Sequence, residues 1–178
     1  MIVLSKKLFK NEIIGFVFVS VSGTLCHFIY EWSDYSRIAA MFSPVNESTW
    51  EHLKLLFFPY MIWTVIQYIV SRNKKGIIFS KAVGLLFGLI LIVSFYYTYT
   101  GVIGKSIDFL NVLSFFIGTF GAFLVDYVMI RSEKFSSVAF DCIGIGVFVT
   151  MTILFFLFTI APPFIPLFKD PQNLSYGI

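Results

Sequence analysis

Five long apolar stretches constrain this chain more than any other feature of its sequence. They cover approximately residues 11–32, 53–71, 77–100, 107–130 and 137–160 of a chain of 178 residues. The hydrocarbon core of a bilayer is roughly 30 Å thick, and a helix needs about 20 mostly apolar residues to cross it. Each stretch reaches that length. The sequence therefore predicts an all-α bundle of five transmembrane helices, forming a single integral membrane domain over residues 1–178.

The amino-acid composition excludes the main soluble classes. Hydrophobic residues make up 58% of the chain and charged residues only 13%, against about 25% charged residues in a typical soluble domain. A soluble fold of this size could not bury so much apolar surface, which excludes a soluble enzyme, a disordered regulator and a small disulfide-linked module. The net charge is +3 without a dense run of Lys and Arg, so the expected partner is the lipid bilayer and not a nucleic acid. A homo-oligomer or an unidentified membrane partner stays open.

The basic residues predict how the bundle is oriented. If the N-terminus lies inside, nine of the thirteen Lys and Arg residues fall on the inner side and four on the outer side. Short loops rich in Lys and Arg remain in the cytoplasm, so we expect the N-terminus inside and the C-terminus outside. The proline-rich tail after residue 160 is expected at the outer interface. The inner set is Lys6, Lys7, Lys10, Arg72, Lys74, Lys75, Lys81, Arg131 and Lys134, and the outer set is Arg37, Lys54, Lys105 and Lys169.

Small residues spaced four apart predict where helices approach each other closely. Gly84 and Gly88 form such a pair in the third stretch, and Gly118 and Ala122 form one in the fourth. Pairs of this kind allow two helix backbones to come into contact within a membrane. We therefore expect close packing at these positions.

Polar and ionisable side chains collect at the outer ends of the first, second and fourth stretches. Both histidines of the chain lie there, and each has a polar residue four positions away that shares its helix face. Ionisable residues near membrane depth are costly, which makes them candidates for a function. The predicted pocket, for a metal, a lipid headgroup or a small polar ligand, consists of His27, Glu31, Glu47, Glu51, His52, Asp108 and Asn111.

Within this pocket the sequence predicts a divalent metal site formed by His27, Glu51 and His52. Zinc and similar ions bind His nitrogen and carboxylate oxygen, and three protein ligands leave a fourth position open for water or substrate. Packed helices have axes about 8–10 Å apart, so we expect His27 within roughly 10 Å of Glu47, Glu51 or His52. Glu51 and His52 are about 100° apart around the helix, and of these two Glu51 is expected to face His27, with Glu47 one turn away on the same face.

Glu51 also has a structural interpretation. The spacing Ser48-x-x-Glu51 matches a capping box, in which side chains satisfy free backbone N–H groups at a helix start. Glu51 and Lys54 are three residues apart and could form an ion pair on one helix. The binding and structural interpretations both stay open at this point, and no catalytic residue is indicated.

A second group of charged residues lies near the inner ends of the last three stretches. Lys81, Asp126 and Asp141 each lie roughly 7–10 Å inside the boundary, at 1.5 Å of helix rise per residue. Charges at this depth usually pair with one another. We expect an inner charge network in which Lys81 pairs with Asp126 or Asp141, and Gln67 is at a depth from which it could join.

The outer polar segment also resembles a known family. Residues 25–32 read LCHFIYEW and residues 43–59 read SPVNESTWEHLKLLFFP, with N-E-S-x-W-E-H-x-K as the distinctive string. This is similar to a domain-of-unknown-function family of small bacterial multi-pass membrane proteins. The resemblance implies a location in the bacterial cytoplasmic membrane and implies no activity. Besides a protein that binds a metal or a lipid headgroup, a metal-dependent membrane hydrolase and a small transporter, channel or accessory subunit stay open.

Overall fold

The computed structural model describes residues 2–71 and 74–178, and its regular structure is helical. Five of its helices are long and apolar enough to cross a membrane. No strand occurs in the described ranges, so the predicted all-α fold with five apolar helices is confirmed, while its orientation stays a prediction. The helices are α1 (Ile2–Cys26), α2 (Ile29–Trp32), α3 (Arg37–Phe42), α4 (Thr49–His52), α5 (Lys54–Val70), α6 (Ile77–Ile103), α7 (Asp108–Ser132) and α8 (Val138–Ile160), followed by a 3-10 turn at Pro166–Phe168.

The first span ends earlier than predicted. The stretch was expected to remain helical to Trp32, but α1 ends at Cys26 and a turn at His27 and Phe28 separates it from α2. In this turn the Phe28 amide donates to the Leu25 carbonyl oxygen at 3.1 Å, a three-residue spacing that departs from the regular α-helical pattern. The turn therefore places His27 outside the regular helix.

Helix α5 is the most buried of the five apolar helices. In its most apolar part, 61% of the span Thr49–Val70, which contains α4 and α5, is buried, against only 22% for α8. Helix α1 packs on α5 and α7, and α6 packs on α5, α7 and α8. The core between them includes Leu56, Phe57, Tyr60, Leu85 and Phe155. The side chains exposed along the long helices are mostly apolar, as expected for surfaces in contact with lipid tails.

The close contact between α6 and α7 depends on small residues, as predicted. A Cβ atom added at Gly84 would lie 2.5 Å from the carbonyl oxygen of Ala122, and one added at Gly88 would lie 2.6 Å from that of Gly118. Real Cβ atoms do not approach oxygen so closely. The backbones can therefore meet only because these positions carry no side chain.

The end of the bundle that carries His27 and His52, called the histidine end below, is covered by the C-terminal tail. The tail was expected at the membrane interface, but its Phe168 side chain is buried. The Phe168 ring centroid lies 4.9 Å from that of Trp50 and 5.1 Å from that of Phe158. Because Trp50 and Phe158 provide an aromatic surface, the tail packs on the bundle.

Candidate functional site

The two histidines converge at the histidine end. His27 follows the last residue of α1, and His52 is the last residue of α4, one residue before the start of α5. Their Nε2 atoms are 3.3 Å apart, and their ring centroids are 5.2 Å apart. The expected proximity of His27 to the second span is confirmed.

Glu47 is the carboxylate that joins the two histidines. Its Oε1 atom lies 3.8 Å from Nε2 of His27, and its Oε2 atom lies 3.4 Å from Nε2 of His52. One ligand atom from each of the three residues can be chosen so that all lie within 4.8 Å of one another. All three side chains are partly exposed. These three residues, His27, Glu47 and His52, are called the histidine–glutamate cluster below.

Glu51 was expected to face His27, and this is wrong. Its side chain is buried and points to the other side of α4, where it pairs with Lys54 Nζ at 2.6 Å and accepts from Thr159 Oγ1 at 3.0 Å. Ser48 has extended backbone dihedrals and caps α4, so Glu47 lies outside the helix. The two glutamates therefore do not share a helix face as their spacing suggested.

The buried Glu51–Lys54 ion pair stabilises the histidine end from within the bundle. Lys54 is fully buried and also donates to the carbonyl oxygens of Ala40 and Ser43, at 2.8 and 3.3 Å. Ser48 Oγ accepts from the Glu51 amide at 3.3 Å, which is the N-capping half of the predicted capping box. Glu51 therefore has the structural role that its spacing from Ser48 and Lys54 indicated.

The hydrogen bonding of His52 orients its ring toward the cluster. Its Nδ1 atom lies 3.0 Å from the carbonyl oxygen of Ser48. A carbonyl oxygen can only accept, so Nδ1 carries a hydrogen and neutral His52 has the lone pair on Nε2. That lone pair faces His27 and Glu47. In metal sites, the histidine nitrogen that does not bind the metal usually donates its hydrogen to a carbonyl or carboxylate oxygen, which fixes the orientation of the ring.

The electrostatic surroundings favour neutral His27. Burial of the imidazole lowers the pKa of His27 below its usual value, and the nearby His52 lowers it further, while Glu47 and Glu31 oppose these effects. Neutral imidazole is the form that binds metal ions. His27 is therefore in the protonation state that a ligand requires.

The C-terminal tail holds the loop that carries Glu47. The Glu47 amide donates to Asp170 Oδ2 at 3.3 Å, and Asn46 Nδ2 donates to the Gly177 carbonyl oxygen at 3.2 Å. Asp170 is buried, and its other oxygen accepts from the Gln172 amide at 2.7 Å. The sequence analysis did not identify Asp170, because more than a hundred residues separate it from Glu47.

A small cleft of about 90 Å³ adjoins the cluster, and it includes Glu31. That volume can hold several water molecules. Glu31 therefore stays near the predicted pocket although it contacts neither histidine directly in the described hydrogen bonds and ion pairs. The residues lining the cleft are His27, Tyr30, Glu31, Tyr35, Pro44, Val45, Asn46 and Glu47.

Asp108 and Asn111 were also predicted for the pocket, but neither lines the cleft. Asn111 accepts a hydrogen bond from the Tyr99 hydroxyl and donates to Ser106 Oγ at 2.9 Å. Asp108 lies exposed in the first turn of α7. Asn111 therefore supports the connection between α6 and α7, and neither residue belongs to the histidine–glutamate cluster.

A family model covers residues 3–178, nearly the whole chain. Its description is a family of unknown function, DUF6512. The chain belongs to this family. No curated protein and no solved structure matches the chain. The match includes the outer polar segment and all five long apolar helices, and family membership supplies no activity.

Toward the other end of the bundle from the histidines, Lys81 and Asp126 form an ion pair, as the sequence predicted. Lys81 Nζ lies 2.6 Å from Asp126 Oδ2 and 2.7 Å from Glu12 Oε2. Gln67 Nε2 donates to Glu12 Oε1 at 2.6 Å. Tyr60 donates its hydroxyl hydrogen to Asp126 Oδ2. These five residues, Glu12, Tyr60, Gln67, Lys81 and Asp126, form the buried charge network discussed below.

Asp141, which was also expected in this network, requires correction. Its carboxylate accepts the amide of Gly76 at 2.7 Å and those of Ile78 and Phe79 at 3.0 and 3.2 Å. It therefore satisfies free N–H groups at the start of α6. The network instead contains Glu12 from α1, and the available signal for it was an acidic residue at the start of the first apolar stretch.

Proposed function

We propose that this protein binds a divalent metal ion of the zinc type through His27, His52 and Glu47. The observation that carries this proposal is the convergence of two imidazole nitrogens and a carboxylate within 4.8 Å. Nitrogen and oxygen ligands are those that zinc prefers. Glu47 takes the position that the sequence analysis gave to Glu51.

The spacing of the ligand atoms supports the proposal. Two ligands bound to zinc at 2.0–2.1 Å in tetrahedral geometry lie about 3.4 Å apart. The Nε2 atoms of the histidines are 3.3 Å apart, and Glu47 Oε2 is 3.4 Å from His52 Nε2. The 3.8 Å separation from His27 Nε2 involves the other carboxylate oxygen, Oε1. Glu47 must therefore reorient to bind one ion through a single oxygen.

Electrostatics also favour a cation among these three side chains. Glu47 Oε2 lies 3.4 Å from His52 Nε2 and Glu47 Oε1 lies 3.8 Å from His27 Nε2. Lone pairs of a carboxylate and of imidazole nitrogens at these distances favour a positive charge between them, which a proton or a metal ion can supply. A metal ion accepts electron density from all three ligands at once.

The adjoining cleft favours a second candidate function, metal-assisted hydrolysis. Three protein ligands leave a fourth coordination position for water or substrate, which is the pattern of catalytic zinc sites. A metal-bound water becomes a strong nucleophile near neutral pH. Glu31 lines the cleft beside His27 and Glu47, and its carboxylate is the candidate group to accept the proton that this water releases.

We further propose that the protein is a multi-pass protein of the bacterial cytoplasmic membrane with its N-terminus inside. Five candidate membrane spans and the uneven distribution of Lys and Arg support this placement. The metal site then lies on the extracytoplasmic side, where it can meet ions and substrates from outside the cell.

Metal content and affinity test the proposal. Protein purified in detergent, stripped with a chelator and reloaded is expected to bind one equivalent of zinc. Replacement by cobalt is expected to give the visible absorption of a tetrahedral site. His27→Ala, His52→Ala and Glu47→Gln should each lose the bound ion, while the exposed control Asp108→Asn should retain it. Equal metal binding by wild type and by the variant lacking both histidines would overturn the proposal.

A further inference from the structure

The buried charge network contains more negative than positive charge. Lys81 and Asp126 are fully buried, and Glu12 is 4% exposed. With both carboxylates ionised, one ammonium group would face two negative charges inside an apolar bundle. A buried charge without a partner is strongly unfavourable. Neutrality requires one additional proton.

The hydrogen bonds distinguish the two carboxyl groups. Glu12 has a donor for each oxygen, Lys81 for Oε2 and Gln67 for Oε1. Asp126 receives both of its donors, Lys81 and Tyr60, on Oδ2. Its Oδ1 atom is buried and has no hydrogen-bond partner among the described residues. Burying an ionised carboxylate oxygen without a hydrogen-bond partner costs more free energy than burying the neutral hydroxyl of a protonated carboxyl group.

We propose that the network binds one proton, held on Oδ1 of Asp126. Glu12 and Lys81 then form the ion pair, and the Asp126 carboxyl group accepts the Lys81 and Tyr60 hydrogen bonds through Oδ2. The network as a whole becomes neutral. This proton site is separate from the histidine–glutamate cluster and does not depend on metal binding.

The proton site connects four helices. Glu12 belongs to α1, Tyr60 and Gln67 to α5, Lys81 to α6 and Asp126 to α7. Within the described parts of these helices, the titratable groups that contact Asp126 are Lys81 and Tyr60, and Glu12 faces it across the Lys81 ammonium that the two carboxyl groups share. Asp141 of the neighbouring α8 is engaged by the start of α6. Release of the proton would leave two carboxylates competing for Lys81, which weakens the packing of α1 against the other three helices.

The pH dependence of stability tests the proposal. The folded protein holds a proton that the unfolded chain has released near neutral pH, so stability should fall as pH rises. One proton changes the unfolding equilibrium by about tenfold per pH unit. Asp126→Asn cannot bind this proton, and Glu12→Gln leaves the Asp126 carboxylate as the only counter-ion of Lys81. Both variants should lose the contribution of this proton to the pH dependence of the free energy of unfolding. The contribution of the two histidines should remain in both variants and serves as an internal control.

Infrared spectroscopy at neutral pH provides an independent measurement. Wild type should show the carbonyl band of a buried carboxylic acid, which Asp126→Asn and Glu12→Gln should each remove and the exposed control Asp108→Asn should retain. If one variant fails to fold, the other decides, because each is expected to lose both the band and the slope. A wild type without the band, or variants that keep both the band and the wild-type slope, would overturn the proposal.

Discussion

Removing the charge of Glu47 should reduce metal affinity and leave stability nearly unchanged, whereas removing the charge of Glu51 should reduce stability and leave the metal site in place. Glu47 is partly exposed and belongs to the histidine–glutamate cluster, whereas Glu51 is buried against Lys54. Glu47→Gln and Glu51→Gln remove the same charge with almost no change in shape. The pair of variants therefore separates a binding role from a structural role.

The magnitudes follow from burial. Glu51→Gln leaves the buried Lys54 ammonium without a negatively charged partner, since the backbone carbonyl oxygens of Ala40 and Ser43 are neutral acceptors. Loss of one partner of a buried ion pair costs about 3–5 kcal/mol, which lowers the melting temperature of a chain of this size by about 6–20 °C. Glu47→Gln changes a surface group, so its effect on the free energy of unfolding should stay within about 0.5 kcal/mol.

Metal affinity should show the reverse order. Glu47→Gln removes a proposed ligand, and we expect its loss of affinity to exceed the roughly 10–100-fold that loss of a ligand's supporting hydrogen bond costs. Glu51→Gln should retain zinc at temperatures where it remains folded. Thermal unfolding in detergent and zinc titration of the same preparations provide both values. If Glu51→Gln lost zinc with an unchanged melting temperature while Glu47→Gln kept it, the assignment of the two roles would be refuted.

Three further predictions concern other parts of the molecule. Lys81→Met should lower thermal stability because it leaves the buried Glu12 carboxylate without its cation. A second change, Glu12→Gln, should recover part of the loss, with a coupling of about 0.5–2 kcal/mol in a double-mutant cycle, and simple additivity would argue against the contact. Asp170→Asn should weaken zinc binding by roughly tenfold or more through the loop that it holds, and titration would show no change if the tail is only a cover. Cysteine labelling should reach Lys74→Cys from the cytoplasm and Lys105→Cys from outside, and the opposite pattern would reverse the orientation.

Much of this architecture follows from local sequence. The length of each apolar stretch predicts a spanning helix, because a helix satisfies its own backbone hydrogen bonds within lipid. The spacing of Gly84 and Gly88 predicts a close contact, since residues four apart share a helix face. The approach of His27 to His52 follows from their positions at the same end of consecutive antiparallel spans.

Other features depend on contacts between distant segments. Whether Glu47 or Glu51 joins the histidines depends on the extended backbone at Ser48, which places Glu47 outside α4. Asp170 holds the Glu47 amide only because the tail folds back onto the bundle. Glu12 enters the charge network through the packing of α1 against α5 and α7. Helical periodicity predicts which side chains share a face, but the partner of that face depends on how the whole chain packs.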